Sequence, residues 1–402
     1  MSPNRTTRHE AIDVWRGVAC LMVVIDHAAV NLAWVDAEVA GPEGWLRWLV
    51  VGATRLALGP SLFFVLSGFC VAASVESSRR KGTTPLAFLS RRFWRIVPTY
   101  WVALLGFVVA VAACDALGLA WLHGGGRGLA LASPGDLSWG QWFGNITLTE
   151  TWRHAYLPGA GQENVFTRIA WTLCYQEQFY AISALVWVLS PRRWFRGLAV
   201  ATGLILACRV VLWDSGRLPQ IDGLFPIYWQ EFAVGLAVYW RLSRAETTGE
   251  RLAVDVGLVG LVGLGLWVQF ASTAVAAGFG LTLIGLRGRD ATIAGARWLD
   301  PIRACGRRCF SIYLVHLPIC SMGSVALDGL GLSGFWSRAM VVIPTVTAIA
   351  LVASWAFHAA IESKFIGRPD LAGIVARFAS RMGGHRGGFK PRRMLPYSTV
   401  SR

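Results

Sequence analysis

What this chain has little of is charge. Asp, Glu, Lys and Arg make up 15% of its 402 residues, against about 25% in an ordinary soluble domain. With 54% hydrophobic residues in long runs, that deficit excludes a soluble fold and predicts an integral membrane protein. A Gly-rich phosphate loop, a Ser nucleophile elbow and zinc-ligand spacing are all missing. The eight Cys are scattered, most of them inside apolar runs. Cys305 and Cys309 are the closest pair, and no second pair completes a metal site; they read as small buried hydrophobes. No internal repeat occurs, so a transporter built on duplicated halves gains no support. Nor is a cleavable leader expected, because the first apolar run is too long and too studded with polar residues.

What charge there is carries one sign in excess. The net charge is +15, which in a soluble protein would suggest a nucleic-acid partner. Here the arginines sit in short loops between apolar runs, which is the positive-inside pattern of membrane topology. The runs predict an all-α bundle of about ten transmembrane helices: 11–33, 56–75, 96–117, 168–189, 197–213, 225–241, two short spans within 252–286, 309–327 and 337–361. The 252–286 run is 35 residues, roughly 52 Å as one helix, too long for a core of about 30 Å. With Arg251 and Arg287 at its ends it reads as two spans with a turn near Gln269–Thr273. On this layout the inner segments hold 29 of the 38 Lys and Arg and the outer ones 7, so both termini are expected in the cytoplasm. Residues 1–363 form the membrane domain, and 364–402 a basic, Gly-rich tail that is expected to be disordered. The 20 Trp suit interfacial belts and cavity walls. The outer segment 118–167, with Gly124–Gly126, Pro134 and Pro158, exceeds ordinary loop length. It reads as a lid or a re-entrant piece.

The stretch Glu10–Leu32 organises the rest. It is apolar enough to cross a bilayer yet carries Asp13, Arg16, Asp26 and His27. Ionisable groups in lipid cost several kcal/mol unless paired or hydrated, so they are read as functional. Arg16 and His27 are eleven residues apart, about three turns, which places them on one face roughly 16 Å apart. Asp13, Cys20 and Asn31 fall near the same stripe. The alternative is a snorkelling Arg and a hydrogen-bonded His, each purely structural.

Four other groups stand out. Arg91, Arg92 and Arg95 open the third span; they are either an ordinary positive-inside cluster or an anion site whose guanidinium forks hold phosphate. Glu177 lies inside the fourth span, flanked by Gln176 and Gln178. It is either a partner for a basic group on a neighbouring helix or a group that orients a catalytic histidine. Arg209 and Glu231 can pair within the outer half. In the ninth span His316 and Tyr313 share a face with Cys309 and Cys320, and His358 and Glu362 form an i,i+4 pair near the inner end of the last.

Several motifs in order resemble the membrane acyltransferase 3 family: Asp13-Val-Trp-Arg16-Gly17 followed by His27, SLFFVLSGF at 61–69, Arg92-Phe-Trp-Arg95-Ile-Val-Pro98, WTLCYQEQFY at 171–180, Glu231-Phe232-x-x-Gly235 and Ser311-Ile-Tyr313-Leu-Val-His316. The resemblance covers about residues 10–365. It implies an integral membrane O-acyltransferase of a bacterial-type inner membrane. The acyl group, most often acetyl from acetyl-CoA as co-substrate, would go to a hydroxyl of a carbohydrate, glycolipid or glycosylated small-molecule acceptor. No bound cofactor, metal or nucleic acid is implied. By position Arg16 and His27 match the family's essential pair, and Arg92 and Arg95 its paired inner arginines. Glu177 matches the second of two adjacent acidic residues; the first is Gln176 here. The expected site therefore has His27 as base or acyl carrier, Glu177 orienting it, and Arg16, Arg92 and Arg95 on acyl-CoA. Asp13, Asn31, Tyr313 and His316 would line the cavity. A transporter moving a glycan or small molecule through the same polar seam is the rival reading, and a passive scaffold would leave the intramembrane His and Arg unexplained.

Overall fold

Inside a bilayer every backbone N–H and C=O must be paired within its own segment, so apolar runs of this length fold as helices. The computed structural model describes residues 11–38, 52, 55–124, 131–157, 163–214, 221, 223–267 and 270–366, with side chains of 30–38, 55 and 213–214 left aside. Residues 1–9, Glu43, Gly125, Gly126, Pro158, Gln269, the side chains of Asn31, Asp36 and Glu38, and nearly all of the tail lie outside what is described.

Among the described residues the fold is helical, with no strand. The main helices are α1 (Ile12–Glu38), α2 (Gly59–Arg80), α3 (Pro85–Ala116), α4 (Trp139–Thr147), α5 (Glu150–Tyr156), α6 (Trp171–Leu189), α7 (Trp194–Asp214), α8 (Trp229–Ser243), α9 (Thr248–Trp267), α10 (Ala271–Gly285), α11 (Asp300–Arg307), α12 (Cys309–Gly329) and α13 (Phe335–Phe365). Five described helices are long and apolar enough to cross a membrane: Leu56–Arg80, Pro85–Ala116, Trp194–Leu212, Cys309–Gly329 and Phe335–Phe365. A sixth candidate is the pair Ala271–Gly285 and Arg287–Gly295, bent by 53°. The remaining expected spans fall on α1, α6, α8 and α9, which are not among these candidates. The 252–286 run does break, into α9 and α10, which pack against each other.

Two close crossings set the bundle. Without strong hydrophobic drive between helices in lipid, small residues let backbones approach. A Cβ on Gly235 of α8 would stand 1.9 Å from the Val65 carbonyl oxygen, and one on Gly68 of α2 2.1 Å from that of Phe232. The same device joins α1 to α11. A Cβ on Gly306 would meet the Asp13 carbonyl oxygen at 1.6 Å, and one on Gly17 that of Ile302 at 2.0 Å. On its other sides α1 packs on α2 and α12.

Part of the arginine-rich end is structural. Buried Glu76 of α2 pairs with Arg80 and Arg244 and accepts the Tyr239 hydroxyl at 2.7 Å, tying α2 to α8. Arg91 donates to Ser78 and Thr83. His358 and Glu362 meet at 2.8 Å, and Glu362 also accepts the Ser311 hydroxyl. Arg209 donates to Gln230 and interacts electrostatically with the neighbouring Glu231.

The long segment 118–167 is built, in its described parts, around buried polar groups. Glu150 and Arg153 form a two-pronged ion pair at 2.9 and 3.2 Å. Glu150 also accepts the backbone N–H of Asn164 at 3.0 Å. Asn145 donates to the Gln141 and Asn164 carbonyls and accepts the Phe166 N–H. His123 bridges Asp115, at the end of α3, to the Leu131 carbonyl. Leaving a buried polar group unpaired costs about 1–3 kcal/mol, so these bonds hold the described parts of the segment together as a cap. It is tied to the end of α3 through Asp115 and to its middle through Tyr100 and Trp101, which donate to the Asn145 and Ile146 carbonyls.

Candidate active site

The one-face placement of Arg16 and His27 on α1 follows from helical periodicity, and both side chains line a cavity of about 280 Å³. Arg92 and Arg95 of α3 line it as well, with Ser67 and Cys70 of α2, Thr172, Gln176 and Tyr180 of α6, and Tyr313 of α12. Two helices distant in sequence, α1 and α3, thus bring three guanidinium groups and an imidazole into the wall of one chamber, with Arg16 and His27 about three turns apart on α1. Arg16 is held by Asp13 at 3.3 Å and by the Cys70 sulfur at 3.0 Å. The Arg92 guanidinium lies over the Tyr180 ring, 5.0 Å from its centre, and over Phe88 at 5.6 Å. Arg16 and Arg92 are half-buried and Arg95 is exposed, and guanidinium forks lining such a chamber suit phosphate oxygens.

A second cavity, of about 470 Å³, lies under the 118–167 cap. Its walls include Glu163, Asn164, Arg168 and Phe166. His27, Ile169 and Trp171 line both chambers, so the imidazole stands at their junction. Trp171 is steadied by Tyr228 and Phe64, with ring centres 5.3 and 6.2 Å away.

Of the other expected site residues, Tyr313 reaches the first cavity, but its hydroxyl is committed: it donates to the Ile169 carbonyl and meets the Thr172 hydroxyl at 2.5 Å. Asp13 holds Arg16 and does not line either chamber. His316 is fully buried behind His27, with its Nε2 3.0 Å from the His27 Nδ1. Glu177 lines neither chamber. Its carboxylate interacts with Arg92, while the side chain that meets His27 is His316. The cavity side of α6 is the stripe Thr172, Gln176, Tyr180, four residues apart each time, and Gln176 donates to Ser67 at 3.1 Å. Among the described residues no three of His, Cys, Asp and Glu gather to hold a metal ion.

A guanidinium-lined chamber that shares a histidine wall with a second chamber suits group transfer. Sequence comparison decides the class: the acyltransferase 3 family profile, described as an acyltransferase domain, matches residues 9–358. The chain belongs to the acyltransferase 3 family. This family member is thus an acyltransferase, and membership sets the transporter reading aside. It is similar to the exopolysaccharide production protein ExoZ of Rhizobium meliloti (strain 1021), being 28% identical over 341 residues that cover 80% of this chain and 95% of the relative. No solved structure matches the chain.

Sequence reasoning passed over Ser67, Cys70, Ile169 and the Glu163–Arg168 wall of this acyltransferase. Ser67 and Cys70 are three residues apart on α2, a helical spacing that could have flagged them. The Glu163–Phe166 part of the second chamber's wall carried no comparable signal, because it is irregular chain.

Proposed function

We propose that the protein is a multi-pass O-acyltransferase of a bacterial inner membrane, with about ten spans and both termini cytoplasmic. It takes an acyl group, acetyl first, from acyl-CoA and delivers it to a hydroxyl of a carbohydrate or glycosylated acceptor. The observation that carries this is His27 at the junction of two chambers, one of them lined by Arg16, Arg92 and Arg95. The Lys and Arg bias supports the orientation, and ExoZ, an exopolysaccharide production protein, supports the acceptor class. Residues 1–363 act as one unit, with 364–402 a basic cytoplasmic tail.

Acyl-CoA is polyanionic and cytosolic. Its phosphates bind the three arginines by charge-assisted forks, and its pantetheine arm extends toward His27 over roughly 16 Å, the rise of eleven helical residues. The acceptor occupies the chamber under the cap and reaches His27 from the opposite side. His27 turns Nδ1 to His316, which leaves Nε2 for substrate. Nε2 accepts the acceptor's hydroxyl proton as the oxygen attacks the thioester carbonyl, and it returns a proton to the departing thiolate. Glu177 belongs with Arg92 in this scheme and acts on donor binding.

The test is His27→Ala in purified protein reconstituted in vesicles, read by acetyl-CoA turnover, and in cells by the mass of surface glycans with and without the protein. Loss of both signals at normal protein levels is expected; retained acylation would remove His27 as base. Arg92→Ala or Arg95→Ala should raise the acyl-CoA requirement about tenfold or more, the loss of a charge-assisted hydrogen bond of about 1.5–3 kcal/mol. An unchanged requirement would exclude phosphate binding there.

A further inference from the structure

Both ring nitrogens of His316 are engaged, and their partners differ in kind. Nδ1 lies 2.8 Å from the Ile312 carbonyl oxygen and 3.0 Å from that of Tyr313. A carbonyl oxygen only accepts, so this nitrogen carries a hydrogen. A neutral imidazole has one N–H, which leaves Nε2 of His316 as a lone pair. That lone pair faces Nδ1 of His27 across 3.0 Å. The hydrogen in this contact therefore belongs to His27. With its proton fixed at Nδ1, His27 presents an unprotonated Nε2.

We infer that His316 is a positioning residue that locks His27 in its Nδ1–H tautomer and receives that hydrogen more strongly as His27 takes up a proton. The inference rests on the reading of His27 as base and goes beyond it. In the step it supports, the acceptor oxygen bonds to the thioester carbon while its proton passes to His27 Nε2. The carbonyl electron pair moves onto oxygen. The imidazolium so formed donates its Nδ1–H to the His316 lone pair, a charge-assisted bond stronger than the neutral one. Collapse breaks the carbon–sulfur bond, and the Nε2 proton leaves on the CoA sulfur. The role a carboxylate plays beside many catalytic histidines is filled here by a second, neutral imidazole on α12, itself held by two backbone carbonyls. Among the described residues no carboxylate bonds to His27.

The experiment compares His316→Leu, His316→Gln and His27→Ala in full-length protein in vesicles, with kcat and KM for acetyl-CoA measured separately. Leu fills space but cannot accept; the Gln amide oxygen can. His316→Leu should lower kcat about a hundredfold with KM nearly unchanged, as expected when a base loses its orienting partner. His316→Gln should recover at least about tenfold of that loss through the restored acceptor. Equal activity of the Leu and Gln variants, or full activity of the Leu variant, would overturn the inference. If both variants misfold, nitrogen-15 spectra of histidine-labelled wild-type protein decide. A hydrogen on His27 Nδ1 bonded to His316 Nε2 is expected, and a hydrogen on His27 Nε2 would overturn it. His27→Ala keeps the two ideas apart. Product formed by that variant defeats the base itself, whereas an inactive His27→Ala beside a fully active His316→Leu defeats only the role given to His316.

Discussion

Replacing Gly306 by Ala should impair this protein far more than the added methyl suggests. The new Cβ would stand 1.6 Å from the Asp13 carbonyl oxygen, 2.6 Å from its carbon and 2.9 Å from the Gly17 nitrogen. All three are backbone atoms, so no side chain can rotate away. The α1 and α11 backbones would have to part by roughly 1.5 Å, at a cost of about 1–3 kcal/mol for an overpacked contact. The functional cost is larger. Helix α1 carries both Arg16 and His27, and it is held between α11 on one side and α2 and α12 on the others. Pushed off α11, its first turns press Arg16 toward Cys70. Misplacement of reacting groups by about 1 Å costs about a hundredfold in rate.

The crossing lies at Asp13–Gly17, three turns from His27, so the Arg16 end moves most. The loss should appear first as a raised KM for acyl-CoA, with a smaller fall in kcat. Gly203→Ala is the matched control. Gly203 sits in α7 with open space where its Cβ would go, and Gly in mid-helix is worse than Ala by about 0.5–1 kcal/mol. That variant should keep full activity with an equal or higher melting temperature. The assay is thermal unfolding and acetyl-CoA turnover of both variants in the same vesicles. Wild-type melting and wild-type KM for Gly306→Ala would show that the glycine crossing does not set the position of α1.

Three further outcomes follow from the same geometry. Arg153→Ala leaves the Glu150 carboxylate buried without its cation, a loss of about 3–5 kcal/mol, and frees the backbone at Asn164; faster hydrogen exchange over 163–166 and a raised acceptor KM are expected, and unchanged exchange would count against the cap as a fixed wall. Glu177→Gln should raise the acyl-CoA KM through Arg92 and spare kcat; a fall in kcat at constant KM would return Glu177 to His27. Tyr313→Phe removes a hydroxyl shared by the Ile169 carbonyl and Thr172, costing about 1–3 kcal/mol of stability; turnover should drop less than tenfold, and its abolition would give that hydroxyl a chemical role.

How far the site could be read from sequence depends on which geometry each residue obeys. Arg16 and His27 obey the geometry of one helix, whose period is a property of the backbone; their shared face carries over into a shared cavity. Glu177 shows where that logic stops. Gln176, Glu177 and Gln178 cover about 200° of helix circumference at 100° per residue. A polar run that wide does not say which of the three faces the chamber, and packing against α2 chose Gln176. His316 is a harder case, since it lies 289 residues from His27 along the chain and nothing local to α12 marks its partner. A buried imidazole must satisfy both nitrogens, however, and two backbone carbonyls one turn back satisfy only one of them. The other nitrogen needed a donor from another helix, and the donor this fold supplies is the ring at the junction of the two chambers. Hydrogen-bond accounting over buried polar groups therefore reaches across the chain where helical periodicity cannot.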